Sequence, residues 1–195
     1  MAVNLKGRDL ICTQDWSIEE LEATLDLAVK LKADRYSDEH ARILKHQTFM
    51  MMFYNSSLRT RQSFEAAATE LGGHAQFLET KTLRLKSKTQ RGEILKDTAN
   101  VMSRYAEGIG IRILEDSVED YGDGDTFLRD FADFSDVPII SMAHDKFHPC
   151  QGLADVMTIR ERFGDPRGIR AAYVGDGNNC CHSLMVVGAQ MGMEI

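Results

Sequence analysis

The sequence has no basic excess, no C-x-x-C pair, no glycine-rich phosphate loop and no long apolar run, and each absence removes a class of function. Lys and Arg total 23 against 30 Asp and Glu, for a net charge of −7. A general nucleic-acid binder normally shows a basic footprint, so nucleic acid is not an expected partner. A small anion still is, because a few arginines can set a local field inside an acidic protein. The four cysteines are Cys12, Cys150, Cys180 and Cys181. Their spacing is poor for zinc, and reduced thiols with no metal are expected. Residues 1–10 lack the apolar core of a secretion signal, and nothing approaches the ~18 apolar residues of a membrane span. The expectation is a cytoplasmic protein with no membrane partner. Repeats and low-complexity segments are also missing. Against these absences stands an apolar share of 43%, ample for a packed core.

Along the chain, helical and strand patterns alternate. Ser17 and Glu20 form a capping-box pattern, followed by Leu21, Leu25, Ala28 and Leu31 at helical spacing. Residues 47–54 make a continuous run suited to a strand buried on both faces. Phe64, Ala67, Ala68 and Leu71 then give a helical face, stopped by Gly72-Gly73. Further strands are expected at residues 74–78, 108–114 and 137–142. The helices between them are marked by Ile94 to Tyr105 and by Phe127 to Phe134. A long helix is expected over 151–163, then a turn-rich break at 164–168. A last strand (170–175) and helix (182–191) complete the pattern. The alternation predicts an α/β fold with a parallel sheet flanked by helices.

Three segments carry the chemistry. Ser57-Leu58-Arg59-Thr60-Arg61 lies between a buried strand and a helix, where a parallel sheet opens onto its ligand crevice. Free helix amides, the dipole, two hydroxyls and two guanidinium forks suit a phosphate. A serine cap with two solvated arginines fits the spacing equally well. Arg112 interrupts an apolar strand and needs either an anion or an acidic partner. His148-Pro149-Cys150-Gln151 precedes the long helix. His148 could donate to a polarised carbonyl and Gln151 could orient an amide, or the histidine could be purely structural. Together, three strand ends carrying a cation, hydroxyl or imidazole suit a small phosphate with a carbonyl to polarise.

Four ordered motifs resemble the ornithine/aspartate carbamoyltransferase family. Ser57 to Arg61 with Ser63-Phe64-Glu65 resembles its S-T-R-T-R-x-S-F-E signature. Arg91-Gly92-Glu93 with Asp97-Thr98 resembles its R-G-E…D-T segment. His148 to Gln151 with Leu153-Ala154-Asp155 resembles H-P-x-Q-x-L-A-D. Tyr173 to Asn179, with His182-Ser183-Leu184, resembles the opening of the second domain in the ornithine enzymes. The resemblance implies transfer of a carbamoyl group from carbamoyl phosphate to an amino-acid amine, with no metal or organic cofactor. It implies that Ser57, Arg59, Thr60 and the Leu58 amide hold the phosphate. Thr60, Arg112 and His148 would polarise the carbonyl oxygen, and Gln151 would bind the carbamoyl amide. Asn179, less surely Asn178, would contact the amino acid. A homotrimer or higher homo-oligomer is implied too, with the loop Glu79 to Arg91, including Lys88, lent to a neighbouring active site.

Leu58 stands where the family usually has Thr, a feature similar to its N-acetyl- and N-succinylornithine branch. Lys88 falls where ornithine enzymes usually carry Gln. Gly175 to Asn179 points instead to the ornithine enzymes. The expected domains are residues 1–150 for carbamoyl phosphate, 151–168 as a linking helix and turn, and 169–195 as the first βα unit of a truncated amino-acid-binding domain. The family's later D-x-x-x-S-M-G and H-C-L-P motifs are absent from the sequence. A fragment of a longer protein is therefore the expectation, with a non-catalytic carbamoyl-phosphate-binding homologue as the alternative.

Overall fold

The computed structural model describes residues 3–80 and 92–195. Its centre is a sheet of four parallel strands in the order β2-β1-β3-β4. These are β1 (Thr48–Phe53), β2 (His74–Glu79), β3 (Gly108–Ile113) and β4 (Ile139–His144). Among the described residues, six α-helices accompany them: α1 (Ile18–Ala33), α2 (Leu58–Glu70), α3 (Leu95–Met102), α4 (Asp123–Asp133), α5 (Pro149–Phe163) and α6 (Asn179–Gln190). The expected α/β fold, a parallel sheet flanked by helices, is what forms.

Strand residues alternate between the two faces of a sheet. Met50 and Met52 therefore pack on one side, with Ile109, Ile111, Leu128 and Phe131. Met51 and Phe53 pack on the other, with Met142 and Phe64. Gly110 keeps that second face low. A Cβ there would meet the Phe49 ring and the Met142 sulfur at 3.1 Å. The next residue in the same row is Arg112, so it faces the side covered by α2 and α5.

The α1 capping box forms as expected. Ser17 Oγ accepts from the Glu20 amide, and the Glu20 carboxylate accepts from the Ser17 amide at 2.8 Å. Behind it, Leu21 and Leu25 are 0% and 1% exposed. Each such burial is worth about 1.5–3 kcal/mol. Their cluster includes Leu153 and Val156 of α5 and Val187 and Met191 at the end of the chain. Gln190 adds donors to the Thr13 and Trp16 carbonyls at 3.0 and 3.1 Å. Residues 179–191 thus dock on the helices beside the sheet.

Two expectations need correction. β4 runs over 139–144, not 137–142, because Pro138 has no amide to give the ladder; its carbonyl accepts from Ile109 at 3.0 Å. The strand expected over 170–175 shrinks to a single parallel bridge between Arg170 and Glu194. Residues 172–178 are exposed there, and a strand without neighbours cannot satisfy its backbone groups through a ladder. No helix among the described residues is long and apolar enough to cross a membrane.

Candidate active site

The sheet order decides where a ligand crevice can form. The chain leaves β1 for β2 on one side and returns to β3 on the other. The loops after β1 and β3 therefore diverge, and an open parallel sheet gapes at such a switch point. A cleft of about 460 Å³ lies there. Ser57, Arg59 and Thr60 line it from α2, Arg112 from β3, His148 and Gln151 from α5, and Asn179 from α6. The sequence placed these residues on four separate elements, and the fold brings them to one cavity. Leu58 does not line it; its side chain is 73% exposed, so only its backbone belongs to the helix start. Lys88 and the rest of its loop from 81 to 91 lie outside the described residues.

At the first wall, Ser57 is the N-cap of α2, accepting from the Thr60 amide at 3.3 Å. This bond uses an oxygen lone pair and leaves the hydroxyl proton for another acceptor. The cap and anion-site readings of Ser57 are thus compatible. A helix start leaves its first amides without intrahelical acceptors, which favours an anion in front of it. Arg61 is turned elsewhere. It pairs with Glu65 at 2.9 Å, and its guanidinium carbon lies 3.9 Å above the Phe77 ring.

Arg112 forms the floor. Register slips by one residue between Ile111 and Arg112, leaving Met142 of β4 as the extra residue of a bulge. Bulges re-aim side chains, and this one sits where the guanidinium enters the cleft. Burial lowers the Arg112 pKa, offset in part by Asp116, and Arg59 lowers it further. An arginine stays charged through such shifts. Its buried Nε has no hydrogen-bond partner among the described residues. A desolvated cation with an unused donor is a strong attractor for an anion.

The third wall is His148, the N-cap of α5, followed by Pro149 at a position that suits its fixed φ. The ring accepts at Nδ1 from the Gln151 amide at 3.4 Å. Burial, then the nearby Arg112 and His144, push its pKa down to about 4. The imidazole is neutral at pH 7, and with Nδ1 accepting, its proton resides on Nε2. It can therefore donate without carrying charge. The Gln151 side chain donates from Nε2 to the Asp155 carboxylate at 2.9 Å, which leaves Oε1 as an acceptor. Asn179 donates one N–H to the His144 carbonyl at 2.8 Å, which leaves its second N–H and its side-chain carbonyl for other partners.

α6 steadies this wall. Ser183 Oγ accepts from the His148 amide at 2.7 Å, and His182 Nδ1 lies 3.0 Å from the Lys146 carbonyl. Sequence reasoning missed three participants. Cys180 and Cys150 line the cleft, Cys180 with a thiol pKa raised by burial and by Asp155. Asn55, 9% exposed, bonds the end of β1 to the loop after β3. The usable signal was a polar residue closing an apolar strand run directly before the phosphate-loop pattern. Among the described residues, no group of three or more His, Cys, Asp or Glu could hold a metal ion.

Residues 8–161 match the family model for the aspartate/ornithine carbamoyltransferase carbamoyl-phosphate-binding domain. The chain belongs to this family. It is 43% identical over 195 residues to the ornithine carbamoyltransferase of Pyrococcus horikoshii, covering 100% of this chain and 57% of that protein. The solved ornithine carbamoyltransferase of Pyrococcus furiosus is 42% identical, with a TM-score of 0.86 over 97% of this chain and 56% of that one. An acetylornithine transcarbamylase complexed with acetylcitrulline is 32% identical, with a TM-score of 0.80 over 95% of this chain and 60% of the other. The chain spans 57% of the length of the first of these relatives.

Proposed function

We propose that this chain supplies the carbamoyl-phosphate half of a carbamoyltransferase acting on ornithine or a related amine. The observation that carries the reading is the cleft itself. Two arginines, a helix start and a neutral donor histidine meet at the switch point of the sheet. In the reaction, an amine nitrogen attacks the carbonyl carbon. The new C–N bond forms as the bond to the phosphate oxygen breaks, and the proton that the nitrogen loses passes to the departing phosphate. Negative charge grows on the carbonyl oxygen and on the departing phosphate. Donors fixed at those two places stabilise the transition state more than the ground state.

In this reading, Ser57, Arg59, Thr60 and the Leu58 amide hold the phosphate. Arg112, Thr60 and His148 Nε2–H meet the carbonyl oxygen, and Gln151 Oε1 accepts from the carbamoyl NH2. Asn179 contacts the amino acid, and Lys88 is the candidate contact from the loop lent by a neighbouring subunit. Residues 1–150 would form the carbamoyl-phosphate domain, 151–168 the link, and 169–195 the beginning of the amino-acid domain. A cytoplasmic homotrimer that shares the 79–91 loop between subunits completes the proposal, in a pathway of arginine synthesis.

The test uses the protein as its gene encodes it. Phosphate release from carbamoyl phosphate should require ornithine or a close relative, and silence across an amine panel would sink the transferase reading. Calorimetry should show carbamoyl phosphate binding weakened at least ~30-fold in Arg59→Ala, the scale of a lost charge-assisted contact. Unchanged binding removes Arg59 from the phosphate site.

One observation favours a second acceptor class. Leu58 replaces a hydroxyl residue with an exposed apolar surface beside the phosphate loop. An N-acylated ornithine has an apolar group to place on such a surface. Faster turnover of N-acetyl- or N-succinylornithine than of ornithine would establish it.

A further inference from the structure

Asn55 lies two residues before the phosphate loop and is neither in the cleft nor part of the apolar core. It is 9% exposed, so its carboxamide must find partners. It finds three, all on the opposite side of the switch point. Its Oδ1 accepts from the Leu114 amide at 2.7 Å. Its Nδ2 donates to Ser117 Oγ at 2.7 Å and to the Asp116 carboxylate. One backbone bond and one side-chain bond flank it: the Tyr54 amide donates to the Arg112 carbonyl at 2.9 Å, and Ser117 Oγ donates to the Tyr54 carbonyl at 3.4 Å.

Strand pairing cannot do this job. Paired residues of β1 and β3 end at Phe53 and Arg112, after which the two loops diverge. Asn55 extends the connection past the last ladder pair. On one side the chain continues directly to Ser57, Arg59 and Thr60; on the other, Arg112 lies two residues before Leu114. Asp116 matters as well, because its carboxylate is close enough to Arg112 to oppose the effect of burial on that guanidinium. The Asn55 amide fixes where that carboxylate sits.

We infer that Asn55 is a positioning residue, setting the phosphate loop against Arg112 by holding Leu114, Asp116 and Ser117. It acts through those groups and touches no substrate. The inference rests on the anion-cleft reading above. A residue of this kind controls anion affinity geometrically, so its replacement should raise the KM for carbamoyl phosphate more than it lowers kcat.

Reversing the polarity of the contact tests it. Asn55→Asp keeps the acceptor for Leu114 but sets a carboxylate against Asp116. Adding Asp116→Asn restores a donor facing an acceptor. Wild type, both single variants and the double variant are titrated with carbamoyl phosphate and with inorganic phosphate, and their melting is followed by circular dichroism. Asn55→Asp should weaken both anions by about tenfold or more, with recovery in the double variant. Asp116→Asn alone removes a negative charge near the site, so recovery counts only where it exceeds the gain that change gives wild type. A coupling of about tenfold or more supports the clamp. Additive effects overturn it, as does wild-type affinity in a folded Asn55→Asp. If Asn55→Asp does not fold, the double variant decides, since the clamp requires it to fold and bind within about threefold of Asp116→Asn. Wild type that binds phosphate but not carbamoyl phosphate ends the functional reading, and the same cycle read with phosphate still judges the clamp. Binding of neither anion ends both.

Discussion

Two histidines four residues apart occupy opposite kinds of site. His144, at the end of β4, is 0% exposed, with Nε2 3.2 Å from the Ile11 carbonyl and Nδ1 3.3 Å from the Asp145 carboxylate. His148 also has its pKa lowered by burial, yet among the described residues only one ring nitrogen is engaged, with the Gln151 backbone amide. Desolvation pushes both rings toward neutrality. What separates them is the Nε2–H of His148, which has no partner among the described residues, on a ring that lines the cleft. An unspent hydrogen-bonding group distinguishes the site better than a shifted pKa does.

The corner around His144 serves a different end. Burial alone would raise the Asp145 pKa, but amide donors from Gly122 and Gly124, with His144, hold it below its ordinary value. Its carboxylate accepts from Gly124 and Asp125 at 3.3 and 3.1 Å, capping α4 from another element because Gly122 has no side chain to do so. Gly124 is required there, since a Cβ would lie 2.7 Å from the Asp145 oxygen. The corner is closed and fully partnered, and the cleft is open and underpartnered.

Substitutions at the two rings should separate these roles. In the proposed reaction, His148→Ala should lower kcat by about 10²–10³, the usual cost of one oxyanion donor, while stability falls by only the ~1 kcal/mol of a lost helix cap. Steady-state kinetics check it, and a loss under tenfold would place His148 with the structural group. His144→Ala should cost about 2–4 kcal/mol in urea unfolding, through a cavity and an orphaned Ile11 carbonyl, with kcat largely kept. If kcat falls as far as in His148→Ala, the separation fails.

The third test uses pH. The folded His148 value of about 4 lies below the ordinary 6.5. Below pH 6.5 the unfolded chain takes up a proton that the folded site refuses. Stability therefore falls as pH drops from 6.5 toward 4, by up to about 3 kcal/mol from this group, and levels below 4. His144 adds to the loss in the same direction. Thermal melts between pH 4 and 7 should show a shallower acid limb in His148→Ala. Identical slopes would mean that the imidazole is not held neutral.

Much of this was legible beforehand because periodicity and capping are local. The Ser17 box, the buried β1 run, the Gly72 stop and the Ser57 turn each announce themselves within a few residues. Boundaries failed where a distant partner decides them. The strand expected over 170–175 failed in this way, for want of neighbours, whereas the late start of β4 was readable locally from Pro138, which cannot donate. The cleft residues were nameable, but the alternatives for each were not separable. Whether Ser57 is only a cap, or Arg112 only half of an ion pair, depends on partners from other strands.

The sequence by itself determined the alternation of elements, the residue types at three strand ends, and the ordered motifs of the family. Tertiary structure alone decided that β1 and β3 are neighbours and that their loops part at a switch point. It also decided that His148 keeps Nε2–H while His144 spends both nitrogens, and that Asn55 bridges to Leu114 across 59 positions of sequence separation. The reason is physical. Local pattern fixes which groups a segment carries, but whether a polar group is paired, desolvated or left open depends on what the fold sets beside it.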